Sequence, residues 1–240
     1  MTSNYLNKEI KDEIAKKLFI KVDDLSEYFK FFKLEKFTIG QNILSQDVKS
    51  NKIYIIINGQ VRVRAPFANH NSLSIEVVED NGFFGLLNEK LGEKIEYCTA
   101  SSKVSIVSIN CKEFKLIREK FDDLNSLIVN NFVKSDLCFL VNRYLGKFNV
   151  PEKPKEAKAY LNLLMKYKLE INKLIINSNS DELNNNYLWF KKDIFNTSSI
   201  DSPYTTSELL SAAKNLSDNL FIGFPISLLK DSKEDQLIKN

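Results

Sequence analysis

The spacing of apolar residues changes twice along the first half of the chain. Residues 5–18 and 22–33 place apolar side chains at three- and four-residue steps, Leu25, Tyr28, Phe29 and Phe32 among them, which predicts two helices. Asp23 and Asp24 near the second start suit the positive end of a helix dipole. After Lys33 the period falls to two. Phe37-Thr38-Ile39 alternates, Gly40 interrupts, and Ile43-Leu44 resumes. Ile53-Tyr-Ile-Ile-Ile57 is a continuous apolar run, the pattern of a strand buried on both faces. Asn58-Gly59 follows, a strong hairpin signal, and Gln60-Val-Arg-Val-Arg64 then alternates with Val61 and Val63 inward. Leu73 to Val77 and Val104 to Ile109 are further strands, with the glycine-bracketed turn Gly82-Phe-Phe-Gly85 between them. Short strands at this spacing predict an antiparallel roll or barrel.

Helical spacing returns near Lys112 with Phe114 and Ile117, and a longer helix is expected over 122–145. Pro151 and Pro154 mark a linker, and Pro154 is well placed to start a helix running to about Asn177, with Ala157, Leu161, Leu164, Ile171 and Ile175 on one face. Tyr187 to Phe190 reads as a strand or a helical turn. Thr206 to Leu216 reads as a short helix capped by Thr206 or Ser207, with Glu208 in its first turn. Phe221 to Pro225 is expected to be irregular but buried, and the last ten residues frayed.

Composition narrows the function class. Hydrophobic residues at 43% and charged residues at 27% are ordinary for a globular chain with a sizeable core. A net charge of +3 is too small to argue for nucleic acid by bulk electrostatics. No apolar run is long enough to span a bilayer, and residues 1–21 lack the apolar core of a secretory signal, so a cytoplasmic chain without membrane insertion is expected. Cys98, Cys111 and Cys138 lack CxxC spacing and are expected as free thiols. His70 is the only histidine and sits in a turn-like stretch, so no metal site and no mechanism needing a histidine pair is expected. Neither a P-loop, a nucleophile elbow nor a dinucleotide fingerprint is present, and no catalytic residue is assigned.

The ordered set Phe37-Thr-Ile-Gly40, Ile43 to Asp47, Ile53 to Val63, Gly82-Phe-Phe-Gly85 and Val104 to Ile109, followed by the helix from Lys112, resembles the cyclic-nucleotide-binding domain family, which includes the Crp/Fnr-type regulators. The resemblance implies an α+β fold: an antiparallel β-roll of jelly-roll type flanked by helices, then a smaller, mostly helical or mixed C-terminal domain. The organisation read from it is N-terminal helices over 1–33, the roll over 34–120, a long connecting helix over 121–148 and a C-terminal domain over 149–240. It also implies a short helix after the glycines that points backbone N–H groups at a cyclic phosphate, with a glutamate there for the ribose and an arginine further on for the phosphate.

This chain departs from that pattern. Leu86 stands directly after Gly85, and the arginine position falls near Lys94 or Glu96. Lys94 offers a point charge but no bidentate fork, and Glu93 and Glu96 repel a phosphate. The candidate pocket therefore comprises Gly82, Phe84, Gly85, Leu86, Leu87, Lys94, Tyr97 and Thr99, with Phe84 and Leu87 equally readable as core. No cofactor is expected, and cyclic AMP or GMP stays as an alternative ligand. The leading expectation is a non-enzymatic regulatory, sensory or scaffolding module. It would meet a protein partner or a second copy through the 122–145 helix, as the resemblance implies. Two alternatives are a Crp/Fnr-type DNA-binding regulator, with Thr206 to Lys214 as its helix-turn-helix candidate, and a soluble regulatory part of a bacterial ABC-type transport or secretion system.

Overall fold

A computed structural model describes residues 6–45, 51–79, 82–86, 96–124, 132–172, 185–191, 203–212 and 220–229. The chain divides into two units, Met1–Phe139 and Leu140–Asn240. In the first, helix α1 (Lys8–Leu18) begins at Asn7, whose side-chain oxygen accepts from the Ile10 N–H at 2.9 Å. It ends at Phe19 in the left-handed region. The second predicted helix, over 22–33, is instead a turn followed by a 3-10 helix, Ser26–Phe31. Leu25, Phe29 and Phe32 are all buried against the same neighbours as α1, and Lys33 already belongs to a strand. Three- and four-residue spacing does not distinguish a 3-10 turn from a short α-helix.

Eight strands follow: β1 (Lys33–Phe37), β2 (Asn42–Leu44), β3 (Lys52–Asn58), β4 (Val61–Phe67), β5 (His70–Val78), β6 (Phe83–Phe84), β7 (Tyr97–Ala100) and β8 (Val104–Asn110). They form two four-stranded antiparallel sheets, ordered β1-β8-β3-β6 and β2-β7-β4-β5. The predicted antiparallel roll is this pair of sheets. β1 ends at Phe37, so Thr38 and Ile39, read as strand, lie in the turn beyond it, with Ile39 72% exposed. His70, expected in a turn, is the first residue of β5 and pairs with Phe67.

The apolar run in β3 is buried on both faces, as its composition predicts. Ile53 and Ile55 join Ile14, Leu18, Leu25, Phe29, Phe114 and Ile117 in a cluster that packs the helices against one sheet. By alternation Tyr54 and Ile56 point the other way and are buried too. Val61, Val63, Ala65 and Phe67 are buried along β4, while Arg62 between them is exposed.

Asn58-Gly59 does not close a hairpin. Both edges of β3 are taken by β8 and β6, and β4 pairs with β5 and β7 in the other sheet. The dipeptide is a crossover between sheets. Gly59 has φ +94°, and a Cβ there would lie 2.4 Å from the Lys103 carbonyl oxygen. The corner is tied by the Gln60 N–H donating to Ser102 Oγ at 2.9 Å and the Ser101 N–H donating to the Gln60 carbonyl at 2.8 Å.

Helix α2 (Cys111–Lys120) buries Phe114 and Ile117. The expected continuous helix over 122–145 is broken. Asp122 to Leu124 is helical, Phe132 and Val133 are not, and α3 runs from Lys134 to Arg143. The Val133 N–H donates to Asp136 Oδ2 at 3.1 Å, so a side chain takes the bond that a continuing helix would give to backbone.

In the second unit, α4 (Pro154–Tyr167) starts at the predicted proline and buries Ala157, Leu161 and Leu164. It stops ten residues short of expectation because β9 (Leu169–Asn172) pairs with β12 (Leu220–Pro225), which makes the segment expected to be irregular a strand. Strand β10 (Tyr187–Lys191) pairs with β12 and with β11 (Tyr204–Thr205), giving the order β11-β10-β12-β9. Helices α5 (Thr206–Ala212) and α6 (Ile226–Leu229) complete the described part. The cap of α5 is Thr205 rather than Thr206 or Ser207. The Glu208 N–H donates to Thr205 Oγ1, and the Thr205 N–H donates to the Glu208 carboxylate at 2.7 Å, a reciprocal capping box. Thr206 is buried and accepts from Trp189 Nε1 at 3.0 Å. Trp189 lies opposite Gly223, where a Cβ would stand 2.4 Å from the indole ring.

Gly59→Ala is expected to destabilise the chain by about 2 kcal/mol or more, since it adds a backbone clash to a positive φ. Urea unfolding of the full chain measures this, and a loss under about 0.5 kcal/mol would contradict the crossover geometry.

Candidate functional site

The glycine turn between β5 and β7 is built by close approach. Phe84 pairs with Tyr54, and their rings stack at 4.8 Å with 2° between planes. Gly82 accepts from the Ile56 N–H at 3.0 Å, and a Cβ on it would lie 1.8 Å from Val78 Cγ1. Gly85, at φ +85°, presses on β3, where a Cβ would stand 2.8 Å from the Lys52 carbonyl oxygen. Both glycines are therefore required by packing against β3 and β5.

The Gly85 N–H is already in use. It donates to Glu96 Oε2 at 2.6 Å. Glu96 immediately precedes β7 and is 4% exposed. Burial pushes its carboxyl above the ordinary glutamate value. The Ser135 hydroxyl and the Gly85 N–H pull it back, and the Asp136 and Glu76 carboxylates push it up again. Ser135 and Asp136, at the head of α3, are both buried. Glu76 on β5 is half-buried, and its carboxyl is also raised by burial, with Lys134 opposing. A bulge near Val63 in the β4–β5 ladder sets the local register of Glu76.

Two thiols belong to the same neighbourhood. Burial raises Cys98 on β7 well above its ordinary value, Glu96 adds to this and Arg64 opposes it. Burial likewise raises Cys138 on α3, with Glu76 and Glu96 adding and Lys134 opposing. Glu76 on β5 and Asp136 on α3 thus both bear electrostatically on the buried Glu96. Among the described residues, no group of three or more His, Cys, Asp or Glu side chains is arranged to hold a metal ion.

The sequence-predicted pocket residues separate in space. Phe84 is core, stacked on Tyr54. Leu86 packs on the helix-side cluster with Phe83. Tyr97 and Thr99 pair with Arg64 and Arg62, on the face of β7 opposite Cys98. Gly82 and Gly85 lie against β3, and Leu87 and Lys94 fall outside the described residues. Two open clefts, of about 360 and 530 Å³, are lined by residues of α1, the strand ends and the α2 terminus and include none of these positions. Sequence reasoning noted Glu96 as an acid near the arginine position. It missed Glu76, Ser135 and Asp136. The usable signal was a polar Ser135-Asp136 pair opening an otherwise apolar stretch.

No family model and no curated protein matches the chain. Solved structures do. A cyclic-nucleotide-binding domain from Methylobacillus flagellatus is 12% identical with a TM-score of 0.46, covering 60% of this chain and 86% of its own. The sensor domain of the transcriptional regulator DNR from Pseudomonas aeruginosa is 12% identical with a TM-score of 0.44, covering 60% and 95%. A regulatory subunit of a cAMP-independent protein kinase A from Trypanosoma cruzi, bound to guanosine, is 15% identical with a TM-score of 0.42, covering 52% and 48%. The roll is similar to cyclic-nucleotide-binding domains. No described helix is long and apolar enough to cross a membrane.

Thiol reactivity tests the burial of this region. In the native chain at neutral pH a small aromatic disulfide reagent is expected to modify half-buried Cys111 and to spare Cys98 and Cys138, while all three react in denaturant. Rapid native reaction at Cys98 or Cys138 would mean that the roll interior is open.

Proposed function

We propose that this chain is a non-catalytic regulatory module, built on a roll whose nucleotide-phosphate position is filled by its own carboxylate. The observation that carries this reading is the 2.6 Å bond from the Gly85 N–H to Glu96. A buried carboxylate at that amide both consumes the donor and repels a cyclic phosphate. Three sequence features support the same reading: Leu86 stands directly after Gly85, residues 87–97 contain no arginine, and Glu93 flanks Lys94. The roll then answers to something other than cyclic AMP or GMP, or serves to hold a partner. A protein partner or a second copy is its expected contact.

The DNA-binding alternative draws no support from α5. That helix follows strand β11, and the next described element is strand β12 rather than a second helix that could enter a groove. Net charge of +3 adds little.

Thermal unfolding of the full chain with cyclic AMP and with cyclic GMP tests the proposal. A ligand held at a hundred times its Kd would stabilise the fold by about 2.7 kcal/mol, or roughly 5–11 °C for a chain of this size. The expected response is flat to within about 1 °C for both. A rise that Lys94→Ala abolishes would place the phosphate at Lys94 and overturn the proposal.

A further inference from the structure

We propose that this chain binds a second copy of itself through unlike surfaces: the exposed Phe19 and the acid-rimmed cleft beside it receive the basic, apolar outer face of α4 from the other copy. This goes beyond the regulatory reading and does not rest on it, because neither surface contains Glu96 or a residue of the Gly85 turn.

The first surface starts from a residue that the fold does not explain. Helix α1 ends in a cap in which the Phe19 N–H donates to the Lys16 carbonyl at 3.2 Å and the Ile20 N–H to the Ala15 carbonyl at 3.0 Å. Such a cap puts the residue after the helix in the left-handed region, and Phe19 lies there at φ 56° and ψ 33°. Glycine is the usual occupant, because a Cβ is disfavoured at that φ. Phe19 bears this penalty without gaining burial, at 79% exposure. An aromatic side chain held in water at a strained position is explained by contact with something beyond its own copy.

Beside Phe19 a cleft of about 360 Å³ opens between the ends of α1 and α2. Leu18, Ile20, Phe121 and Leu124 give it apolar walls, and the exposed Asp24, Asp122 and Asp123 stand on it. Lys21 and Lys120 line it too. Lys120 is already committed. Its Nζ is 2.6 Å from the Glu27 carboxylate and lies over the Tyr28 and Phe121 rings at 5.2 and 5.7 Å. Among the described residues the three aspartates have no ion-pair partner, and of the cleft's own charges Lys21 alone is left to oppose them. The cleft therefore suits an apolar group accompanied by a cation.

A surface of that description stands on α4. Ala157, Leu161 and Leu164 turn inward and are buried. Helical spacing leaves Lys155, Ala159, Leu163 and Lys166 outward, with Tyr167 at the edge of that face, and all five are exposed. Leu169, just past the helix, is exposed as well. Lys166 Nζ lies 5.2 Å from the Tyr167 ring centre, so cation and aromatic are presented together. The acid of this helix, Glu156, pairs with Lys153 at 3.2 Å, while Lys155, Lys158 and Lys166 have no ion-pair partner among the described residues.

The outer face of α4 is thus cationic and the cleft anionic, and each carries exposed apolar groups. Like meets like unfavourably in both cases, cleft on cleft and α4 on α4. The favourable contact joins the two kinds of surface, so a copy whose cleft is spoiled still offers its α4, and the reverse.

Sedimentation velocity of the full chain over about a hundredfold range of concentration tests this. Wild type is expected to pass from monomer to larger species, and added salt to weaken the association. Phe19→Gly removes the aromatic anchor and relieves the left-handed position. It is expected to raise the dissociation constant roughly tenfold or more, while urea unfolding shows a fold at least as stable as wild type. Lys166→Glu sets a like charge before the aspartates and is expected to weaken association by a similar factor. An equimolar mixture of the two variants is expected to associate again, because one supplies an intact cleft and the other an intact α4. A wild type that stays monomeric at the highest concentration, association that either variant leaves unchanged, or a mixture no more associated than its parts would each overturn the proposal. Cyclic nucleotide is absent throughout, so failure here leaves the regulatory reading standing.

Discussion

The first unit depends on a single strand with no solvent face. Ile53 and Ile55 hold the helices, while Tyr54 and Ile56 are buried on the other side of β3. Each fully buried Ile contributes about 1.5–3 kcal/mol by area removed from water, and here one short run serves two layers. That constraint explains its neighbours. With both faces apolar, β3 needs a ladder on each edge, and β8 and β6 supply them. With both edges taken, β4 must leave for the other sheet, and Gly59 permits the corner. With β6 so short, the glycines beside it press the turn against β3.

The position of Glu96 follows from the same packing. The Gly82–Gly85 turn lies so close to β3 that its outermost N–H points toward β7, where Glu96 meets it. A phosphate in that place would bring its own counter-charge requirement, and this sequence supplies acids there instead. Burial there penalises ionisation of the Glu96 and Glu76 carboxyls. Polar groups in such a setting are retained at a cost in stability, which is a reason to look there for function rather than for structural support.

Much of this was legible from residue order. The β3 run, the alternation of β4, the proline start of α4 and the glycine-bracketed turn all carry local patterns that survive folding. The misreadings share a cause: the deciding partner lies far away in sequence. Asn58-Gly59 has the same turn chemistry in a hairpin as in a crossover, and only the pairing of β3 with β8 distinguishes them. Leu169 to Asn172 continues a helical face on paper, yet β12 draws it into a sheet. The helix over 122–145 fails at Val133 because the Asp136 side chain competes for a backbone N–H. At the site, Glu96 was visible as an acid in the wrong place for a phosphate, but Glu76 and Asp136 act on it from separate segments. No local pattern announces that influence.

The position of β8 bears on how the chain acquires its shape during synthesis. It is the last strand of the roll to be made, and it lies between β1 and β3. Lys33–Phe37 has no other ladder partner among the described strands, so it must wait for Val104–Ser108 to emerge from the ribosome. Until then Ile53 and Ile55 keep one bare strand edge. Closure over so long an interval slows folding and leaves the edges of β1 and β3 open to wrong pairings until β8 is made.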